Sequence, residues 1–214
     1  MWALDRDIAA IDPIVFRETA WAGQTLSRGD AMISGDTLSI VGGLDVPFNQ
    51  ALIAEGHVVN VGGIIVEVAD VQSANTLTVT VPRPTLNAPT QPPRQIDTAP
   101  FTILSFRVQI QWAHRQILMM LGLRAQGEPG SGLDETAVTN RADLIRLEAL
   151  GALHLIYSAA GALEDNTSPN NQRAQAYRRR FNDERMRVAA KIDTDADGEP
   201  DAIRRLNVLQ LARW

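Results

Sequence analysis

Apolar and polar positions change their rhythm along this chain, and each change marks an element. Residues 3–22 place apolar side chains at helical spacing, interrupted at Asp12-Pro13. A capping aspartate followed by proline starts a new helix, so two short helices are predicted, the second running through "IVFRETAWA". From Gly23 the rhythm shortens to β-branched runs parted by turn signals: "AMISG", "DTLSIV", "HVVNV", "IIVEVADV" and "TLTVTV". In "HVVNVGGIIVEV" the Gly62-Gly63 pair supplies the positive φ angles that a tight primed turn requires between two alternating strands. "QSAN" then turns the chain into a third strand. With the Met32–Val41 hairpin there are enough strands for a small barrel or sandwich. Six prolines between positions 82 and 100 predict an extended connection, after which Phe101–Phe106 reads as a last strand.

Helical spacing returns at Ile110, Ala113, Ile117 and Leu121, with Gly122 as a stop, which predicts a helix over 107–121. The segment from Thr139 to Leu163 carries Leu144, Leu147, Leu150, Leu153, Ile156, Tyr157 and Ala160, leaving almost no polar face. Such a helix lies at the centre of a bundle or an assembly. Ser168-Pro169 caps a third helix, whose stripe is read through Ala174, Tyr177, Phe181, Val188 and Ile192. The resulting fold class is α+β: a helical bundle of about three long helices and the short N-terminal ones, with an inserted small antiparallel β-barrel or sandwich and an extended C-terminal arm. The predicted divisions are 1–22 joining the helices, a β domain at 23–106, a helical domain at 107–192, and an Asp-rich turn and arm at 193–214.

Composition narrows the chemistry. The chain has 214 residues, 45% of them hydrophobic and 21% charged, the balance of a folded globular protein. A formal net charge of −5 argues against a surface built wholly to grip phosphates. There is no cysteine, which excludes disulfides, thiolate catalysis and cysteine-ligated metals. "MWALDRDIAAIDP" lacks the apolar core of a signal peptide. The charge-free stretch Ala149–Leu163 is shorter than the roughly 20 residues that span a bilayer, so no membrane association is expected. "RAQGEPGSGLDET" is rich in glycine but lacks the Lys-Ser/Thr of a phosphate loop. His57, His114 and His154 are scattered without a second ligand at metal spacing, and no nucleophile–base pattern is present, so no enzyme is predicted.

Two features are left as candidate sites. Arg173, Arg180 and Arg187 recur every seven residues along one flank of the third helix, where they could face phosphates, a neighbouring subunit or solvent. Asp183 and Glu184 stand four residues from Arg187 and Arg180, spacing that favours intrahelical ion pairs. In "DTDADGEPD", Asp193, Asp195 and Asp197 with Gly198 match the first six positions of a calcium-binding loop, and Asp201 takes position 9. Position 12 departs from that pattern, because Arg204 replaces the bidentate glutamate. A calcium site and an Asp-rich turn closed by local backbone bonds both remain open on this reading.

Taken in order, "DPIVFRETAWAGQTL", the meander "GHVVNVGGIIVEVADVQSANTLTVTVPRP", "NRADLIRLEALGALHLIY" and "AQAYRRRFNDERMRVAAKIDTDADGEPDAIRRLNVLQLAR" resemble the head-to-tail connector proteins of tailed bacteriophages, the adaptors. The resemblance implies a structural protein of the virion neck, assembled in the host bacterial cytoplasm. It implies a homo-oligomeric ring, commonly a dodecamer, seated beneath the portal protein and followed by a stopper or tail-completion protein. The genome would pass through the ring, touching it only transiently and without sequence preference. On this chain the gripping arm would be Ala202–Trp214, with Leu206, Val208, Leu211 and Trp214 as anchors for the portal or a neighbour. The β domain departs from the simplest, nearly all-helical adaptors. The alternatives are another neck or tail-completion protein, or a calcium-dependent recognition module.

Overall fold

The computed structural model describes residues 1–129, 132–165 and 167–206. The chain divides into two compact units, Leu4–Arg107 and Met1–Ala3 with Val108–Trp214.

The first unit is a closed antiparallel barrel of six strands: β1 (Gln24–Ser34), β2 (Thr37–Gly42), β3 (Val58–Val61), β4 (Ile64–Val71), β5 (Thr76–Thr80) and β6 (Ile96–Ser105). Their order around the barrel is β1-β2-β5-β4-β3-β6, with β6 returning to β1. Closure rests on the length and bending of β1. Its register slips near Asp30 against β2, and at Thr25/Ser27 and Ala31/Ile33 against β6, so one strand serves two neighbours while it curls. Gly62 and Gly63 take φ values of 54° and 84°, which makes the turn between β3 and β4 the primed one.

Alternation along the strands sends Ala31, Ile33, Leu38, Val59, Val61, Val66, Val68, Leu77, Val79 and Ile103 into a solvent-free interior. Phe48, from the loop between β2 and β3, packs in the same core and meets the Phe101 ring edge-on at 5.9 Å. The short helices α1 (Asp5–Ile11) and α2 (Val15–Glu18) pack on this barrel. Arg6 N–H donates to Gly56 O at 3.0 Å, and the Phe16 ring lies 5.1 Å from Phe106. The proline-rich connection is also tied down, since Val81 N–H donates to Gln91 O and Gln91 N–H to the Thr80 hydroxyl.

The second unit holds α3 (Arg107–Leu121), α4 (Arg141–Ala160) and α5 (Pro169–Arg187). Ser168 caps α5 by accepting from Asn171 N–H, with Pro169 at the first helical position. At Gly151 on α4 a side chain would stand 3.1 Å from both Ala113 Cβ and the Phe181 ring, so this glycine lets the three helices approach closely. A hairpin follows, β7 (Ala189–Ile192) paired with β8 (Ala202–Arg205).

The expected fold class is therefore corrected. The barrel is not a small insertion in a helical bundle; it is a closed six-stranded body forming one of the two units, with α1 and α2 on its own surface. The helical stripe also ends early. Val188 has extended backbone (φ −88°, ψ 151°), and Ile192 lies in β7 rather than on α5. The extended arm is replaced, as far as Leu206, by β8 folding back on β7, where its backbone groups find partners in the same chain.

Candidate functional site

The aspartate loop joins β7 to β8. Hairpin pairing brings Ile192 opposite Ala202, and Asp201 N–H donates to Ile192 O at 2.9 Å, which pinches the loop at its base. Inside, the Asp193 carboxylate accepts Ala196 N–H at 2.7 Å through one oxygen and Gly198 N–H at 2.9 Å through the other. Asp197 accepts Glu199 N–H at 2.8 Å. Gly198 takes φ 93° and Ala196 φ 64°, so the backbone winds tightly around Asp193, the most enclosed of the three. One carboxylate oxygen each from Asp193, Asp195 and Asp197 lies within 4.8 Å of the others, and this group could hold a metal ion.

Asp201 is used differently. Its carboxylate accepts both the backbone N–H and the hydroxyl of Thr194 at 2.8 Å, and these bonds, the backbone one first, hold its pKa below the usual carboxylate range. Arg204 does not point a charge into the loop as its position suggested. Its guanidinium donates to Leu121 O at 2.6 Å and Gly122 O at 3.3 Å, where α3 ends and carbonyls lack helical partners.

The arginine flank of α5 is engaged with aromatic rings. Tyr157 and Tyr177 stack face to face, 5.6 Å apart and 2° from parallel. The Arg173 guanidinium lies 5.5 Å from the Tyr157 ring, and Arg180 lies 5.3 Å from Tyr177. Glu184 reaches across to Arg146 on α4 at 3.8 Å rather than back to Arg180. Arg187 is exposed in the last turn of α5, where a cation suits the helix dipole. Leu206 is buried, and Val208, Leu211 and Trp214 lie outside the described residues.

Two buried polar clusters were not legible as sites. In the barrel unit, Glu67 on β4 is fully buried. It accepts the Arg83 backbone N–H at 2.8 Å and the Arg83 guanidinium at 2.7 and 3.1 Å. Arg83 also donates to Glu55 at 2.8 Å and Leu86 O at 2.7 Å, while Arg6 donates to Arg83 O at 2.7 Å. The hydrogen bond to Glu67 is the main reason the Arg83 pKa rises. In the helical unit, His114 bonds Glu135 through Nε2 and lies 3.3 Å from Glu148 through Nδ1. The Met1 amine lies 3.2 Å from Glu135, and Trp2 N–H donates to Glu148 at 3.1 Å. Burial pushes Glu135 up, but the bonds from His114 and the amine outweigh it and leave its pKa lowered.

Glu148 left one sequence signal, a carboxylate set among the apolar residues in the middle of α4, beyond the Asp143 of its first turn. Glu67 left none, since it takes the outward position of an ordinary strand alternation. Both clusters join segments distant in sequence, so their chemistry holds the chain together, while Arg6 Nε and Nη1 in the barrel cluster are buried without a hydrogen-bond partner. His154 likewise donates from Nδ1 to Ala174 O at 3.0 Å, with burial lowering its pKa. His57 Nδ1 is engaged at Ala54.

An apolar groove of about 650 Å³ runs over the barrel surface, lined by Pro13, Ile14, Ile65, Val81 and Pro82 with Arg17 at its side. Among the described residues, no helix is long and apolar enough to cross a membrane. Compared with family models, with curated proteins and with solved structures, the chain matches none.

Proposed function

We propose that this chain is a structural adaptor of a tailed-phage neck, a ring subunit placed between the portal and a stopper or tail-completion protein. The observation that carries this reading is the distribution of large apolar side chains left in water. Trp21 and Leu52 are exposed on the barrel unit, and Met186 and Ile203 on the helical one. Side chains of this size left exposed on both units favour a component of an assembly, since burying them against neighbours removes apolar surface from water. The polar clusters around Glu67 and Glu148 fit the same role, because they tie distant segments of each unit together. Ring stoichiometry, by the resemblance, would be twelve. With Arg173 and Arg180 committed to tyrosine rings, Arg187 is the remaining candidate for a lumen-facing charge.

The test is immunogold electron microscopy of phage particles from the source strain, with an antibody raised against this chain. Label at the head–tail junction supports the adaptor; absence of label on intact and tail-stripped particles, with the chain expressed, refutes it.

A second reading has its own observation, the three converging aspartates. In it the loop takes calcium, which prefers carboxylate oxygens at flexible geometry, and the metal stiffens a recognition module. Calorimetry separates the two: no heat and no rise in melting temperature at millimolar calcium removes this reading.

A further inference from the structure

The outward face of α3 carries a seam of its own. Val108, Trp112, Arg115 and Met119 follow spacings of four, three and four residues, the d-a-d-a rhythm of a helix that packs against another helix. The buried side of α3 is made by a different set, Ile110, Ala113, His114, Ile117, Leu118 and Leu121, so this second stripe is surplus to the fold. Val108 is 53% exposed, Trp112 59%, Met119 70%, and the Arg115 side chain 60%. Arg115 has one ion pair, a contact at 4.0 Å with the half-exposed Glu128, which is weak enough to exchange.

We propose that this face is covered by the same face of a second copy of the chain, the two α3 helices running antiparallel about a two-fold axis. The self-complementarity of the stripe argues for that occupant. In antiparallel packing each a position layers against a d position of the other helix. Trp112 then meets Arg115 of the second copy, and Val108 meets Met119, each layer occurring twice by symmetry. An indole over a guanidinium is the strongest of the aromatic–cation pairs. Valine against methionine fills the outer layers without a polar atom. The flanking positions, Gln111 and Gln116, are uncharged, and in this register Gln111 lies level with Gln116 of the second copy, so they meet without repulsion. Parallel packing fails on the same residues, because it sets Arg115 against Arg115.

The seam spans about 16 Å along the helix axis. Covering four such side chains on each copy buries roughly 1,000 Å² in total, at the low end for a specific contact, so the pair should be reversible. It is an isologous contact, distinct from the head-to-tail contacts that close a ring, and does not depend on the adaptor reading.

The absence of native cysteine makes the test direct. The full chain is prepared as Val108→Cys, as Met119→Cys, as an equimolar mixture of the two, and as the double variant, all at solvent-facing positions that leave the core of α3 intact. Under mild oxidation the proposal requires a disulfide-linked dimer in the mixture and in the double variant, and none in either single variant, whose own copies stand about 16 Å apart along the axis. Adding Trp112→Ala should weaken dimerisation of the native chain at least about tenfold in a sedimentation concentration series. Cross-linking of either single variant, a ladder beyond the dimer, or a monomer at submillimolar concentration would each overturn it.

Discussion

Replacing Glu67 by Gln isolates the electrostatic contribution of the barrel's buried cluster. The side chains are nearly isosteric, so no cavity opens; what changes is the charge. Glu67 is fully buried and accepts three hydrogen bonds from Arg83, with an Arg6 nitrogen 3.6 Å away. The amide supplies one neutral oxygen where there were two anionic ones, and it turns an N–H₂ donor toward guanidinium donors. Arg83 keeps Glu55, but that carboxylate is 47% exposed and contributes as a screened pair. Breaking one side of a buried, hydrogen-bonded ion pair costs about 3 kcal/mol or more, because the remaining charge is left without its counterion. For a unit of this size that is roughly 12 °C in Tm or greater. The assay is urea unfolding followed by circular dichroism and by the fluorescence of Trp21, the tryptophan of the barrel unit, with Glu55→Gln as the comparison. Glu55→Gln should cost less than about 1 kcal/mol. If the two substitutions cost the same, the cluster does not hold the proline-rich segment as argued.

Three further outcomes are expected. Burial raises the Asp5 pKa above 3.8 despite the bond it accepts from Phe106 N–H, so its contribution to stability is present below that value and is lost as pH rises through the folded-state pKa. The stability of Asp5→Asn relative to the native chain should therefore climb with pH from about 4 upward; thermal melts showing a flat difference would contradict the assignment. Gly151→Leu forces a side chain into the 3.1 Å approaches at Ala113 and Phe181 and should destabilise the helical unit by about 1–3 kcal/mol, read by chemical denaturation, whereas Leu163→Ala on the exposed surface should change little. Asp193→Asn removes the most enclosed carboxylate of the loop. If the three aspartates bind calcium, the calcium-induced rise in Tm seen with the native chain should disappear in the variant, while Asp201→Asn, whose carboxylate serves Thr194, should retain most of it.

What sequence alone determined here is local. The α3 bounds, the Ser168 cap, the glycine turn at Gly62-Gly63 and the positions of most strands follow from periods of 3.6 and 2 and from turn chemistry, which neighbouring residues decide among themselves. The Asp193, Asp195 and Asp197 convergence was also legible, because one turn of loop carries all three. Closure of the barrel was decided by tertiary structure, since β1 meets β6 across some eighty residues, Gln24 opposite Ser105, and no local window contains that pairing. The same holds for the hairpin that folds Ala202–Arg205 back on β7, where alternation equally suited an arm reaching another chain. It holds for the charges too. Whether Glu67, Arg173 or Arg204 faces water, a ring or an orphan carbonyl depends on what a distant segment brings beside it. Burial changes the energy of a charge by several kcal/mol, and burial is a property of the folded surface rather than of the residue.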